Sequence, residues 1–297
     1  MKMEERLTQY AAMTEEMLSR YLSCEESCIY KTIYDAVKYS ALAGGKRLRP
    51  ALLLEFCRVC GGEIEKALPF AAALEMIHTY SLIHDDLPCM DNDALRRGKP
   101  TNHKVFGEGM AVLAGDALLN RAFEVILDPR NTQGLAADGV LRAANQLARA
   151  AGMDGMIGGQ VVDLESEGKA ISLERLMLLQ QLKTGCLIRV AAVIGCLLAG
   201  KSDGRTMQAA EVYGDRLGLA FQIQDDLLDI EGDSAVLGKS IGKDAQSEKS
   251  TFPALLGMER CHAVVAQLTN EAIDAVALFQ DHEFLVQLAQ SLASRNH

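Results

Sequence analysis

The sequence predicts an all-α protein. Only six prolines interrupt its 297 residues, and strictly alternating apolar and polar runs, which are typical of half-buried strands, are very few. Apolar side chains instead return near helical spacing, as at Tyr10, Met13 and Met17. No linker composition separates the two halves and no fixed-period repeat is present, so we predict a single domain over residues 1–297.

Charge and composition narrow the classes of partner. The 40 acidic residues outnumber the 30 basic ones, which gives a net charge of −10 and opposes non-specific attraction to nucleic acid or to anionic membranes. The longest charge-free apolar run, residues 190–200, is well short of the roughly 18 residues that suggest a membrane span. The first residues are polar rather than an apolar signal core. We therefore expect a cytoplasmic protein without a nucleic-acid partner or a membrane span, whose eight cysteines are reduced.

The first predicted elements surround a cationic loop. Residues 1–43 have the spacing of one or two amphipathic helices, and residues 51–60 predict another helix. Between them, paired glycines are followed by Lys46, Arg47 and Arg49. Three cations beside a helix N-terminus suit an anion site, although a solvated loop would have the same composition.

The next segments predict buried helices. A helix that starts near Lys66 or Pro69 is apolar on nearly all sides until it reaches Asp85, so we expect it to be central. His78 interrupts this helix, either as a core side chain or as part of a site. Residues 112–127 predict a second buried helix.

The second half of the chain contains a polar interruption of uncertain role. Residues 173–182 and 186–199 are apolar on either side of Lys183 and Thr184, so this position is either a helix break or a functional kink. Around it we predict a helix rich in small residues at 137–163, a long apolar helix at 207–230, a mobile loop at 231–250 and further helices at 252–297.

Two clusters of aspartates follow the two long apolar helices. Their members are Asp85, Asp86 and Asp91 in the first cluster, and Asp225, Asp226 and Asp229 in the second. On a helix, residues four apart share a face with about 6 Å between them, so Asp225 and Asp229 would repel each other. The negative end of the helix dipole disfavours both of them further. Two such placements in one chain predict bound cations.

The ligand chemistry of these clusters favours magnesium. Oxygen ligands without nearby His or Cys suit a hard divalent ion, and Mg²⁺ typically takes one or two carboxylates, several waters and substrate phosphate oxygens. A phosphorylated substrate is therefore expected. A glycoside hydrolase has no use for six clustered aspartates, and the chain contains no Gly-x-x-x-x-Gly-Lys-Ser/Thr sequence for nucleotide-driven phosphoryl transfer.

The chain resembles the trans-isoprenyl diphosphate synthase family, and within it the bacterial farnesyl diphosphate synthases. Residues 81–93 with 95–101 are similar to the first aspartate-rich motif of that family, and residues 221–229 to the second. Four further segments match family motifs in the same order: 44–50, 183–185, 238–239 and 249–253. One position departs, because Ala94 stands where close relatives usually have another acidic residue. That difference affects only a peripheral contributor to metal affinity.

The resemblance implies a fold and a cofactor. The expected fold is a single-domain helical bundle of the isoprenoid synthase type with a central cavity, assembled as a homodimer. Three Mg²⁺ ions are expected to bind together with an allylic diphosphate. The implied ligands are Asp85, Asp86 and Asp91 for two ions, and Asp225 for the third, with support from Asp226 or Asp229.

The resemblance also implies the reaction, in which isopentenyl diphosphate is joined to an allylic diphosphate. The residues expected to grip the allylic diphosphate are Arg96, Lys183, Lys239 and Lys249, of which the first three count as catalytic. Those expected to hold isopentenyl diphosphate are Lys46, Arg49, His78 and Arg97. The Thr184 hydroxyl and the Gln222 amide oxygen would stabilise the allylic cation, and the released diphosphate would accept the proton.

Product length is assigned to Tyr80, with Ser81 beside it. Tyr80 precedes Asp85 by five residues, which places it about 7.5 Å along the helix axis, where a growing prenyl tail would point. In the resembling family an aromatic residue here, with a first motif two residues longer, implies a C15 product, whereas a small residue or Met implies C20. Ordinary core packing of Tyr80 is the alternative interpretation.

Three alternative functions are compatible with parts of this pattern. A geranylgeranyl diphosphate synthase would share the chemistry and differ in product length. A class I terpene cyclase normally carries Asn, Ser or Thr, and Glu at its second metal site, where this chain has aspartates. A helical binding subunit without activity would have lost ligands, whereas here all the principal ones are present.

Overall fold

The computed structural model describes residues 2–231 and 250–294. Within these ranges the regular secondary structure is helical apart from two two-residue strands, which confirms the predicted all-α class. The loop predicted at 231–250 lies outside the described residues except at its two ends, and the predicted ligands Lys239 and Lys249 lie there with it.

The first part of the chain forms seven helices and one short ribbon. The helices are α1 (Met3–Tyr21), α2 (Lys31–Ala41), α3 (Leu48–Val59), α4 (Ile64–Asp85), α5 (Asn102–Phe106), α6 (Glu108–Leu127) and α7 (Ala137–Ala151). Between α4 and α5, the two-residue strands β1 (Leu95–Arg96) and β2 (Lys99–Pro100) pair antiparallel.

The second part contains a π-helical turn between two of its helices. Its elements are α8 (Met156–Ser166), α9 (Leu173–Gln180), the π turn (Gln181–Gly185), α10 (Cys186–Leu198), α11 (Gly204–Glu231), α12 (Phe252–Leu256), α13 (Met258–Val276) and α14 (Glu283–Ala293).

Helices α4 and α10 form the centre of the bundle. Every residue of α10 except Arg189 is buried, and α4 is apolar on nearly all sides, as the sequence predicts. Helix α4 packs against α3 and α6, and α10 packs against α3, α7 and α11. A helix that is apolar all round must be enclosed by others. The first acidic cluster therefore begins where a central helix ends, and the π turn lies where the other central helix begins.

The structure corrects one predicted element and adds two. The helix expected at 137–163 is two helices, because Gly152 leaves helical geometry with φ −83° and ψ −163° and the chain re-enters a helix only at Met156. The short helix α5 and the ribbon β1–β2 were not predicted. Two-residue strands are too short to produce an alternating pattern in the sequence.

Within residues 2–231 and 250–294, one helical stretch is long and apolar enough to cross a membrane. It runs from Leu173 to Leu198 through the π turn, and 72% of its most apolar window is buried inside the protein. A run of this kind is equally typical of a core helix. Its burial against α3, α7 and α11 accounts for its apolar character.

Candidate active site

The first acidic cluster is folded back on itself by the turn that ends α4. Asp85 is the last residue of α4, and Asp86 caps it. The backbone N–H of Asp91 donates to the carbonyl of Asp85 at 2.8 Å. Asn92 follows with a φ of 50°, a conformation that Asn tolerates better than most residues. The turn thereby returns the chain to the helix end, so that Asp85 and Asp91 are neighbours.

Burial and mutual repulsion perturb these carboxylates. Burial, reinforced by Asp91 and Asp86 and opposed by Lys183 and Arg96, raises the pKa of Asp85 to about 6. The pKa of Asp86 is also raised, mainly by burial, although its hydrogen bond with Arg96 works in the opposite direction. A carboxylate with a raised pKa in a cavity is typical of a functional site, because a bound cation would offset the unfavourable free energy of the buried negative charge.

The ribbon β1–β2 directs two adjacent arginines to different places. Arg97 and Gly98 occupy its tight turn with φ values of 52° and 74°, as a two-residue hairpin turn of type I′ requires. Arg96 makes three hydrogen bonds to Asp86, at 2.7–2.9 Å. Arg97 instead donates to the Gly44 carbonyl and lines a cavity beside Lys46 and Arg49.

A cavity of about 700 Å³ contains the four residues predicted to hold isopentenyl diphosphate. It is lined by Lys46, Arg49, His78 and Arg97, together with Phe221 from α11. Arg49 Nη1 lies 3.4 Å from His78 Nε2. Burial, then Arg49 and the neighbouring arginines, hold the pKa of His78 well below its ordinary value, so the imidazole is neutral. The cavity therefore offers several cations and one neutral hydrogen-bonding ring to an anionic ligand.

Arg47 is the third cation of the same loop, and it serves the fold. Its buried guanidinium pairs with Glu75 at 2.7 Å and Glu15 at 3.1 Å, and it also donates to the Ala41 carbonyl at 2.6 Å. These contacts hold the loop between α2 and α3. The other two cations of this loop, Lys46 and Arg49, are those predicted from the sequence to hold isopentenyl diphosphate.

The interruption at Lys183 and Thr184 does not break the helix. The helix continues through it as a π turn, a feature that is frequent at functional sites. Lys183 Nζ pairs with Asp163 Oδ2 of α8 at 2.6 Å. Thr184 Oγ1 donates to Gln222 Oε1 of α11 at 3.4 Å. Two neighbouring helices thus hold the two adjacent side chains.

Two glycines allow those helices to approach the π turn. A Cβ at Gly159 of α8 would clash with the backbone of Lys183, and one at Gly218 of α11 would lie 3.1 Å from Gly185 Cα. In each helix the polar side chain that meets the turn follows the glycine by four residues, hence on the same face. These side chains are Asp163 and Gln222.

The π turn separates two further cavities, one facing each acidic cluster. A cavity of about 440 Å³ is lined by Asp85 and by apolar side chains, and one of about 180 Å³ is lined by Asp163, Gln222 and Asp226. Lys183 and Thr184 line both. The larger one adjoins the cationic cavity, since both contain Arg49 and His78.

Tyr80 and Ser81 line the apolar cavity. Tyr80 is 6% exposed, and its ring packs edge-on against His84 at 5.9 Å. His84 in turn donates to the Val112 carbonyl at 3.0 Å and lies where Gly115 has no side chain. Among the described residues the buried Tyr80 hydroxyl has no hydrogen-bond partner. The ring is therefore held by packing and not by a polar contact.

The second cluster lies on the last turns of α11. Asp225 and Asp229 are half-buried, whereas Asp226 is 6% exposed. Asp226 accepts hydrogen bonds from Gln222 Nε2 at 3.2 Å and from the backbone N–H of Phe252 at 3.0 Å. The three aspartates are thus in two different environments.

The donor set fits magnesium bound together with a substrate. Within residues 2–231 and 250–294, no group of three His, Cys, Asp or Glu side chains forms a metal site by itself. Mg²⁺ commonly takes only one or two carboxylates and completes its shell with water and phosphate oxygens. The two clusters provide carboxylate oxygens, and the cations beside them suit a diphosphate. This arrangement agrees with Mg²⁺ binding through a few carboxylates together with substrate phosphate oxygens.

Two residues that line the cavities had no predicted role. Asp163 lies 20 positions before its partner Lys183, and no local pattern links the two. Phe221 lines the cationic cavity. Its position beside Gln222 within the second motif was the one sequence feature that could have indicated a place at the site.

The helical fold, with carboxylates and cations around an apolar cavity, defines an isoprenoid synthase. The chain belongs to the polyprenyl synthetase family, whose model matches residues 30–284. This confirms the family resemblance and the assignment as a prenyltransferase that makes trans-prenyl diphosphates.

Relatives of both product lengths are similar to the chain. It is 47% identical over 267 residues to a geranylgeranyl diphosphate synthase of Cyanophora paradoxa, with 89% of this chain and 88% of the relative covered. It is 43% identical over 305 residues to a farnesyl diphosphate synthase of Geobacillus stearothermophilus, with 100% and 99% covered. Among solved structures, an FPP/GFPP synthase from Zymomonas mobilis has a TM-score of 0.88 at 35% identity, with 98% and 99% covered.

Proposed function

We propose that this prenyltransferase condenses isopentenyl diphosphate with dimethylallyl or geranyl diphosphate and that farnesyl diphosphate is its main product. The observation that carries the proposal is the continuity of the cavities. The cationic cavity adjoins the apolar one at Arg49 and His78, and Tyr80 lines the apolar one. A diphosphate, a reacting carbon and a prenyl tail of limited length can be placed along this path.

The residues divide between the two substrates. Lys46, Arg49 and Arg97 hold isopentenyl diphosphate by charge, and the neutral His78 adds a hydrogen bond. Arg96 and Lys183 hold the allylic diphosphate, and Lys239 and Lys249, which the structure does not describe, join them in the proposal. Arg96 pairs with Asp86 and Lys183 pairs with Asp163, and these ion pairs orient the two cations before substrate arrives.

The reaction replaces the allylic C–O bond with a C–C bond and transfers one proton. The allylic C–O bond breaks and its electron pair leaves with the diphosphate. Thr184 and Gln222 direct oxygen atoms, which are non-nucleophilic toward carbon in this setting, at the resulting cation. The isopentenyl double bond then forms the C–C bond, and the proton lost from the isopentenyl unit goes to the released diphosphate.

Magnesium is part of the proposal. Asp85, Asp86 and Asp91 would hold two ions, and Asp225, with Asp226 or Asp229 in support, would hold the third. When bound, Mg²⁺ neutralises the charge that develops on the departing diphosphate.

We also propose that the working form is a homodimer, for which exposed apolar side chains such as Leu113 and Leu141 provide surface.

A C20 product is the second candidate. The 47% identity to a geranylgeranyl diphosphate synthase favours it, whereas the buried aromatic ring of Tyr80 in the wall of the apolar cavity favours C15. Incubation with each allylic starter, followed by chromatography of the dephosphorylated products, distinguishes the two. The proposal requires farnesol as the main product.

A further inference from the structure

Asp226 differs from its acidic neighbours in what it contacts. Its Oδ1 accepts a hydrogen bond from Gln222 Nε2, and its Oδ2 accepts one from the Phe252 backbone N–H. Its 6% exposure contrasts with the half-buried Asp225 and Asp229. Successive helix positions point about 100° apart, so Asp226 cannot share the face on which Asp225 and Asp229 lie.

The contact with Asp226 fixes the orientation of the Gln222 side chain. A carboxamide has one donor end and one acceptor end, whereas an ionised carboxylate only accepts. The NH₂ group of Gln222 must therefore face Asp226, one helical turn further along α11, and its oxygen faces Thr184, whose hydroxyl donates to it at 3.4 Å. Without Asp226 the amide could turn over and present N–H groups to the reaction site.

We propose that Asp226 is a positioning residue that holds the Gln222 oxygen toward the allylic cation, and that it is not a metal ligand. This inference rests on the proposed function, because the orientation matters only if a cation forms beside Thr184 and Gln222. It leaves Asp229 as the residue that supports Asp225 in metal binding. It also ties the last turns of α11 to the start of α12 through Phe252.

The network makes a specific prediction for Asp226→Asn. The asparagine has a single acceptor oxygen, so either the Phe252 N–H or the Gln222 NH₂ loses its acceptor. Because leaving a buried backbone N–H without an acceptor is unfavourable, the asparagine oxygen turns to Phe252. Its NH₂ group then faces Gln222, whose amide turns over and directs a donor toward the cation.

The double variant Asp226→Asn with Gln222→Glu restores the three hydrogen bonds that link Thr184, residue 222, residue 226 and Phe252. One Glu oxygen accepts from the asparagine NH₂, the other accepts from Thr184 Oγ1, and the asparagine oxygen accepts from Phe252. The net charge of the pair is that of the wild type. The single variant Gln222→Glu lacks this balance because it places two carboxylates in contact.

The test measures kcat and the half-saturating Mg²⁺ concentration with geranyl and isopentenyl diphosphates for five proteins: the wild type, the two single variants, the double variant and Asp225→Asn. We expect Asp226→Asn to lower kcat by at least about tenfold, with a half-saturating Mg²⁺ concentration within about twofold of the wild type. The double variant should regain at least about fivefold in kcat over Asp226→Asn. Asp225→Asn should raise the Mg²⁺ requirement.

A higher Mg²⁺ requirement in Asp226→Asn, similar to that of Asp225→Asn and not corrected by Gln222→Glu, would overturn the inference. If Asp226→Asn does not fold, the double variant decides alone: a wild-type Mg²⁺ requirement supports the inference and a raised one overturns it. An inactive wild type would contradict the proposed function instead, and Asp226 would then have no such role.

Discussion

Lys183 Nζ lies 2.6 Å from Asp163 Oδ2, and this ion pair joins α8 to the π turn. Both side chains are largely buried, with 22% and 12% of their surfaces exposed. The ammonium is therefore held toward the cavities that flank the turn before any diphosphate is present. Hydrogen bonds between charged groups contribute about 1.5–3 kcal/mol each, enough to keep a flexible lysine in one orientation.

We predict that Asp163→Ala lowers kcat/KM for the allylic diphosphate about tenfold, because Lys183 loses its orientation. Asp163→Asn should have a smaller effect, since it keeps an acceptor oxygen. The control is Glu165→Gln, an exposed α8 position whose ion pair with Arg175 lies on the surface, and it should leave kcat/KM unchanged. An Asp163→Ala enzyme with wild-type kcat/KM would contradict this role.

Tyr80→Ala is predicted to lengthen the product from C15 to C20. Removing the ring opens space in the apolar cavity, so a fourth isoprene unit can enter. Tyr80→Phe is the matched control: the hydroxyl has no partner among the described residues, so its removal should change neither product length nor stability. Chromatography of dephosphorylated products measures the outcome, and a C15 product from both variants would rule out Tyr80 as the determinant.

The raised pKa of Asp85 predicts a gain in stability for Asp85→Asn. Its pKa rises from 3.8 to about 6, chiefly through burial, so the folded state binds the proton more tightly than the unfolded state. Stability therefore falls as pH rises through the interval between these values, and the ionised carboxylate is destabilising above it. Without Mg²⁺, Asp85→Asn should have a higher Tm than the wild type at neutral pH and lose this advantage below about pH 4.

Calorimetry in a chelating buffer measures that difference, and Asp154→Asn, at an exposed position between α7 and α8, gives the background for removing one carboxylate. Asp85→Asn should also lose nearly all activity if Asp85 is a metal ligand. A lower Tm at neutral pH in Asp85→Asn would show that the carboxylate stabilises the fold.

Gly159→Ala is predicted to damage both stability and activity. The new methyl group would clash with the Lys183 backbone, and strain of this kind costs about 1–3 kcal/mol. Gly109→Ala is the control: it lies near the start of α6 with open space around it, so it should be neutral or slightly stabilising. Chemical denaturation and kcat for each variant check this, and an unaltered Gly159→Ala protein would refute the close approach of α8 to the π turn.

The residues that sequence reasoning identified are those whose signal is local. The two aspartate clusters, the Gly44–Gly45 loop and the central helix α4 each depend on neighbouring positions, and the fold class followed from the same periodicities. The sequence did not decide between a helix break and a kink at Lys183, because the π turn depends on Gly159 and Gly218, which lie in other helices.

The site features that the sequence did not predict depend on contacts between residues that are far apart along the chain. Asp163 is unremarkable in the sequence until its contact with Lys183 is known. Asp226 was grouped with Asp225 because the two are adjacent, whereas its contact with Phe252 comes from a segment 26 residues later. Spacing along one helix predicts which residues share a face, but not which donors from other helices that face will meet.

The most direct test of the central claim is the product formed by the purified wild-type protein. It is incubated with Mg²⁺, isopentenyl diphosphate and either dimethylallyl or geranyl diphosphate, and product length is read by chromatography after dephosphorylation. The proposal predicts that a C15 diphosphate accumulates from both starters and that a chelator abolishes its formation. A main product of C20 or longer would contradict the role of Tyr80, and no incorporation with either starter would contradict the proposed reaction itself.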